Sequence, residues 1–233
     1  VLNILYEDNH LLALNKPAGV PTMGTPGDRP TLLSLAKDYI KQKYRKPGNV
    51  YLGVMSRLDA PVTGVVLFAR TSKAARRLTE QFCGHTVEKT YWAWVEGVIR
   101  AAAGRCVDWV AQDERHRRMH VVGRNQATSA APPGAKEARL SYRRLAVLGG
   151  TSLLEVRLET GRKHQIRLQL ADRGHPVVGD RKYGSRLPFP LGIALHAWRL
   201  VVVHPVRGES LSLEAPLPDA WPDACRGPQS GLT

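Results

Sequence analysis

Cysteine is scarce in this 233-residue chain: Cys83, Cys106 and Cys225 stand far apart, with no CxxC pair. Such spacing supports neither a disulfide framework nor a thiolate zinc site, and it points to an intracellular chain. His116 and His120 stand four apart, but no Cys or carboxylate follows at matching spacing, so they read as basic surface and no metal is expected. Acidic residues are also short, 20 against 34 Lys and Arg, and they form no cluster of the kind a metal-dependent nuclease uses. No apolar run approaches the ~20 residues that span a bilayer. No charged-then-apolar signal segment opens the chain, and no internal repeat is visible. A cytoplasmic location is expected, or an organellar one if a targeting segment before Val1 has been removed.

What is present is an ordinary globular composition with an unusual charge. Hydrophobic residues make up 43% and charged residues 23%, enough for one large domain or two lobes sharing a cleft. The formal net charge is +14, spread over stretches such as Lys41–Lys46, Arg70–Arg77, Glu114–Arg124 and Arg139–Arg144. A distributed positive surface attracts polyanions and gains from counterion release, so nucleic acid is the expected partner; the plain alternative is a solvated basic surface.

The patterns place strands and helices in alternation. Residues 2–15 read as two strands about a turn at Asp8-Asn9-His10. Thr31 caps a helix carrying Leu32, Leu35, Ala36, Tyr39 and Ile40, which ends before Pro47-Gly48-Asn49. Gly64–Ala69 is a strand, and Ser72 caps a helix with Ala75, Leu78 and Phe82 on one face. Strands follow at Thr90–Glu96, Ser152–Leu158 and Leu195–Val203. Lys163–Asp172 is helical, with Gly174 as its stop. Residues 111–136 read as a polar, partly mobile loop or insertion, and the Pro/Gly-rich tail 216–233 is expected to fray. Strands outnumber helices, which fits an α+β domain over 1–215 with a mainly antiparallel sheet.

Four segments can carry chemistry. In Ser56-Arg57-Leu58-Asp59-Ala60-Pro61-Val62-Thr63-Gly64, a carboxylate and a guanidinium sit on a turn just before a strand. The plainer reading is an Asp capping local N–H groups and Arg57 in a surface ion pair. In Gly161-Arg162-Lys163-His164-Gln165-Ile166-Arg167, a helical reading puts Lys163 and Arg167 on one face, beside the buried side marked by Ile166. An Arg there needs a buried acceptor, and Asp59 is one candidate. In Glu88–Gly97, Tyr91, Ala93 and Val95 point one way while Trp92 and Trp94 point the other as core. An aromatic ring at a cleft can stack on an unpaired base. Leu195-His196-Ala197-Trp198 alone is only a buried strand.

Together these segments resemble the RluA family of pseudouridine synthases. Asp8-Asn9-His10 through Lys16-Pro17-Ala18-Gly19 is similar to the family's opening motif. Arg57-Leu58-Asp59 with Thr63-Gly64 resembles the motif of the nucleophilic Asp, and Lys89-Thr90-Tyr91 with Val95 and Gly97 resembles the strand of the active-site Tyr. Thr160-Gly161-Arg162 with His164–Arg167, Gly179-Asp180 with Tyr183-Gly184, and Leu195-His196-Ala197 complete the series. The resemblance implies a long mixed, mainly antiparallel sheet, split by a central catalytic cleft and flanked by helices and loops. It implies Asp59 as nucleophile, Arg167 as the cation orienting it, and Tyr91 stacking on the uracil. Leu195 would form an apolar wall and Arg57 would fill the space of the flipped nucleotide. Arg162, His164 and Gln165, in the same motif as Arg167, are expected to touch substrate. The partner implied is ribosomal or transfer RNA presenting a looped or flipped uridine, and no cofactor is called for.

Two positions depart from the family's pattern, which usually has His at Ser56 and Thr at Val62. Ser56 is expected to bear on how displaced RNA is held. The departures leave a catalytically inactive RNA-binding or assembly factor of the same fold as the alternative. No stretch resembles the small N-terminal RNA-binding domain that many members carry.

Overall fold

A computed structural model describes residues 2–24, 29–113, 118–124 and 131–222. In chain order the elements are β1 (Asn3–Glu7), β2 (Leu11–Lys16), α1 (Leu32–Lys43), β3 (Gly53–Val54), β4 (Thr63–Ala69), α2 (Ser72–Cys83) and β5 (Glu88–Glu96). Then come β6 (Ala103–Asp113), β7 (Arg118–Arg124), β8 (Lys136–Leu148), β9 (Thr151–Leu158), α3 (Gln165–Asp172), a 3-10 turn (Arg181–Tyr183), β10 (Leu195–Val203) and β11 (Ser210–Glu214). They form two compact units, residues 1–89 with 196–218, and 90–195 with 219–233.

The first unit orders its strands β1-β2-β4-β10, with β3 on β4 and β11 on β10. Every pair is antiparallel except β4–β10, where Thr63 lies beside His196 and Gly64 beside Ala197. Gly64 is required at that approach: it has φ +115°, and a Cβ there would stand 2.2 Å from the Ala197 carbonyl oxygen. Thr63 and His196 tie the pair further, Oγ1 to Nδ1 at 2.7 Å. The core lies between β2, β4 and β10 and helix α2, through Leu11, Val65, Leu67, Leu78 and Leu200. Thr31 does cap α1, in a reciprocal box with Ser34. The cap of α2 is Thr71 rather than the expected Ser72. Thr71 is extended, and its hydroxyl accepts from Ala74 N, the third residue of the helix.

The turn at Asp8 is a polar clasp. One carboxylate oxygen accepts from His10 N at 2.8 Å and Leu11 N at 2.7 Å. The other accepts from Tyr6 Oη at 3.0 Å and from buried His204 Nε2 at 2.8 Å. His204 Nδ1 accepts from Val206 N and Arg207 N, so the ring proton sits on Nε2 and is given to Asp8. Burial raises the Asp8 pKa, but these hydrogen bonds outweigh it and hold the carboxyl at about 2. A depressed carboxyl pKa contributes stability that is complete above the unfolded value and is lost as pH falls through the folded one. The contribution is on the order of 2 kcal/mol. Asp8→Asn is therefore expected to destabilise at pH 7 by more than it does near pH 2.5. Urea melts at the two pH values check this, and an equal gap at both would sink it.

The second unit orders its strands β5-β9-β8-β6-β7, all antiparallel. Together the two units bear out an α+β fold whose strand pairing is mixed and mainly antiparallel. The reading of 111–136 as loop is corrected: β6 runs to Asp113, Arg118–Arg124 is strand β7, and Lys136 begins β8. Residues 114–117 and 125–130 lie outside the described residues. What makes the hairpin strands is alternation, since Val110 and Met119 pack with Ala138, Leu168 and Tyr183 while Arg118 and His120, on either side of Met119, face outward. The tail reading is corrected in part: Trp221 is 2% exposed and meets Phe189 edge to face at 6.0 Å, whereas 223–233 lie outside the described residues.

Candidate active site

In the first unit, the loop from Ser56 to Val62 carries Asp59 half-buried and Arg57 exposed. Its backbone is pinned from both flanks. Thr22 Oγ1 donates to Leu58 O at 2.9 Å and accepts from Leu58 N at 3.1 Å. Gly19 N donates to Ala60 O at 2.8 Å, and Val62 N closes the turn on Asp59 O at 3.0 Å. Ser56, the residue expected to act on displaced RNA, accepts from Leu67 N with its hydroxyl at 2.9 Å. Val62 is buried. Ser56 is thus part of the loop's anchorage to β4.

Beneath this loop lies a buried cation that the sequence reading did not single out. Lys16 is 0% exposed, and its Nζ donates to Pro17 O, Val20 O and Ala60 O at 2.8, 2.8 and 3.0 Å. Three carbonyls satisfy all three ammonium protons, which is what makes the burial tolerable. Burial pushes the Lys16 pKa down to about 8, and the negative charge of Asp59 acts against that shift. Lys16 therefore ties the opening hairpin to the Asp59 turn by hydrogen bonds and to the Asp59 carboxylate by charge. The signal was in the Asn15-Lys16-Pro17-Ala18-Gly19 turn: a Lys closing an apolar strand.

In the second unit, α3 begins at Gln165, so Lys163 and His164 precede the helix and do not share its face with Arg167. The reason is a tight turn. His164 has φ +56°, left-handed, and Gln165 N donates back to Arg162 O at 3.1 Å. Buried Gln165 braces the turn: its Oε1 accepts from Thr160 Oγ1 at 2.8 Å and Arg162 N at 2.9 Å, and its Nε2 donates to Arg139 O at 3.0 Å. Arg162 Nε donates to Glu137 O at 2.7 Å. Of the three residues expected to touch substrate, the structure gives Gln165 and Arg162 to the protein's own frame. His164 is joined by Nδ1 to Tyr183 Oη at 2.8 Å.

Arg167 lies inside α3, 5% exposed, and its acceptor within this unit is Asp180, 2% exposed. The contact is a fork, Nε to Oδ2 at 2.6 Å and Nη2 to Oδ1 at 2.9 Å. The guanidinium also stands 5.1 Å from the centroid of the Tyr183 ring, and Arg118 stands 5.0 Å from it. Burial raises the Tyr183 pKa, keeping its hydroxyl protonated as a hydrogen-bonding partner for His164. Asp180 and Tyr183 were visible in the sequence only as part of a motif, without a role. Tyr91 is half-buried on β5 opposite Val156 of β9, and Leu195 is buried at the start of β10. Trp92 is buried, and Trp94 donates from Nε1 to Thr151 Oγ1 at 2.6 Å, as core residues do.

The model of the RNA pseudouridylate synthase family matches residues 10–172, which include Asp59, Tyr91 and Arg167. The chain is 36% identical over 234 residues to "Ribosomal large subunit pseudouridine synthase D" of Nitrosomonas europaea, covering 94% of this chain and 62% of that protein, less than two thirds of its length. It is 32% identical over 235 residues to "tRNA pseudouridine synthase C" of Yersinia pestis, covering 95% of this chain and 88% of that protein. Among solved structures, "Human RNA Pseudouridylate Synthase Domain Containing 4" superposes with a TM-score of 0.78 at 25% identity, covering 93% of this chain and 89% of the other.

Proposed function

Because the chain belongs to the RNA pseudouridylate synthase family, we propose that it isomerises uridines of structured RNA to pseudouridine, with Asp59 as nucleophile. The observation that carries this reading is the pinned loop: an Asp placed half-exposed on a turn clamped by Thr22, Gly19 and Lys16. Positioning of that kind is what an attacking group needs, since a misplacement of ~1 Å can cost a factor of about 100 in rate. RNA as partner is supported by the +14 charge and by relatives named for ribosomal and transfer RNA.

The chemistry exchanges the C1′–N1 bond of one uridine for a C1′–C5 bond; the C5 hydrogen leaves to water as a proton, and N1 takes up a proton in its place. Atoms and electrons balance without an oxidant or an energy source. The base must be held after the glycosidic bond breaks and then turned. Tyr91 serves as the stacking surface and Leu195 as the apolar wall. Arg167 serves as the cation that orients the nucleophile, itself fixed by Asp180. Arg57, exposed beside Asp59, fills the place of the extruded nucleotide, whose unstacking is least costly in a loop.

The test is release of tritium from [5-³H]uridine RNA made in cells lacking this protein. Catalytic release from ribosomal or transfer RNA is expected. No release from either pool, by protein that binds both, would overturn the activity. A second expectation concerns Thr22→Val, which keeps the shape but removes both hydrogen bonds to Leu58. It should lose about 2 kcal/mol of stability and slow release roughly tenfold, with RNA affinity retained. Urea melts and single-turnover rates read the two effects, and an unchanged rate would remove Thr22 from the positioning of Asp59.

A further inference from the structure

The segment from Arg181 to Ala194 joins Asp180, the partner of Arg167, to Leu195, and it contains no acidic residue. It is held rigidly. Glu96 accepts at one carboxylate oxygen from Ser185 Oγ at 2.5 Å, Arg186 N at 2.7 Å and Leu187 N at 2.8 Å. Gly179 N donates to Leu187 O at 3.1 Å, and Ala194 N to Val178 O at 2.9 Å. Midway, Phe189 points inward, edge-on to Trp94 at 6.3 Å and to Trp221 at 6.0 Å. It presses so close to Gly179 that a Cβ there would stand 2.6 Å from its own. Pro188 and Pro190 flank it and fix φ on both sides.

With Phe189 turned in, Leu187 and Leu191 on either side of it stand outward, 41% and 63% exposed. Exposed single leucines are ordinary, but these two project from a fixed frame and share the segment with exposed Arg181, Lys182 and Arg186. An apolar ridge with cations, whose one neighbouring carboxylate, Glu96, is turned to the loop's own N–H groups, matches a polymer that alternates flat apolar bases with phosphates. Because the ridge is already ordered, little conformational entropy is lost on contact.

We propose that residues 181–192 form a preformed ridge for single-stranded RNA, Leu187 and Leu191 meeting unstacked bases while Arg181, Lys182 and Arg186 take the phosphates. This rests on the reading that the chain acts on RNA, and it makes the ridge a determinant of which looped strand is accepted. Glu96 acts through the loop as a positioning residue.

The experiment is a binding titration with an unmodified large-subunit ribosomal RNA transcript and with unfractionated transfer RNA, alongside thermal melts. Leu187→Ser combined with Leu191→Ser is expected to bind at least one of them about tenfold more weakly. Its melting temperature should hold, since both side chains are exposed. Arg181→Gln with Arg186→Gln should flatten the slope of log affinity against log salt by about 1.4. Parent-like affinity in the leucine variant, or an unchanged slope in the arginine variant, would overturn the ridge. So would leucine substitutions that abolish a concentration-dependent dimer and leave RNA affinity intact, since the face would then be a protein interface. The titration reads binding and not isomerisation. A parent that binds RNA without tritium release would defeat the proposed activity and leave the ridge standing; a parent that releases tritium while its leucine variant binds normally would defeat the ridge alone.

Discussion

Asp59→Asn protein is expected to release tritium on the order of 10⁴-fold more slowly than the parent, or not at all, while binding RNA within a few-fold of it. The argument has two parts. An amide of the same shape cannot supply the carboxylate's nucleophilic oxygen, so the covalent step has no replacement. The loop itself does not rest on that oxygen alone: its backbone is held by Thr22 at Leu58, by Gly19 and Lys16 at Ala60, and by Ser56 at Leu67. One cost does fall on stability. The Asp59 charge opposes the lowering of the Lys16 pKa, so neutralising Asp59 leaves the buried ammonium less favoured. A modest loss in urea melts at neutral pH should accompany the loss of rate, and it should be smaller above the Lys16 pKa, where the amine is already neutral. Ordinary turnover by Asp59→Asn would remove Asp59 from the chemistry. A collapse of RNA affinity along with the rate would mean that the carboxylate serves the frame and not the reaction.

What the sequence disclosed and what it hid follow from period and charge. The β1–β2 hairpin, α1, β4 and β10 were legible because their apolar residues recur at the spacing of their element and are bounded by Gly, Pro or a hydroxyl cap. Strands β6 and β8 were not. β8 has a face laid with charge, where Arg139 and Arg143 pair with Glu137 and Glu155, and β6 beside it adds Arg105, paired with Glu159. On the other face, β6 interrupts its apolar series with buried Asp108, which is paired with Arg173. A strand whose outward face is a ladder of ion pairs reads, in one dimension, as basic loop. The site divides in the same way. Asp59, Tyr91 and Arg167 stood out as chemistry-bearing residues within recognisable motifs. Lys16, Thr22, Gln165 and Asp180 act through partners outside their own turn or helix, 44 residues away for Lys16 and Ala60, 36 for Thr22 and Leu58, 26 for Gln165 and Arg139 and 13 for Asp180 and Arg167, and no periodicity announces such a contact. His164 misled for a local reason: its left-handed backbone breaks a pattern that would otherwise run as helix from Lys163.

Asp180→Ala should be the most damaging change to stability. Arg167 and Asp180 are both buried and meet through two parallel hydrogen bonds. Removing Asp180 takes from a buried guanidinium its bidentate acceptor, and breaking a buried pair costs about 3–5 kcal/mol, a large share of a typical domain's stability. Asp180→Asn keeps an acceptor oxygen and loses the charge, so it should fall between Ala and the parent. Replacing both partners, Arg167→Met with Asp180→Leu, removes both charges of this pair and should recover much of what the single change loses, the mark of a pair whose worth lies in mutual neutralisation. Function should separate from stability in this series. If Arg167 is held in place to orient a nucleophile, the double variant regains its melting midpoint and stays inactive in tritium release, whereas Asp180→Asn retains partial activity because the guanidinium is only loosened. Urea melts and single-turnover rates on the four proteins decide it. An active double variant would make the pair a device of folding alone, and Asp180→Ala melting with the parent would mean that Arg167 is neutralised by something other than Asp180.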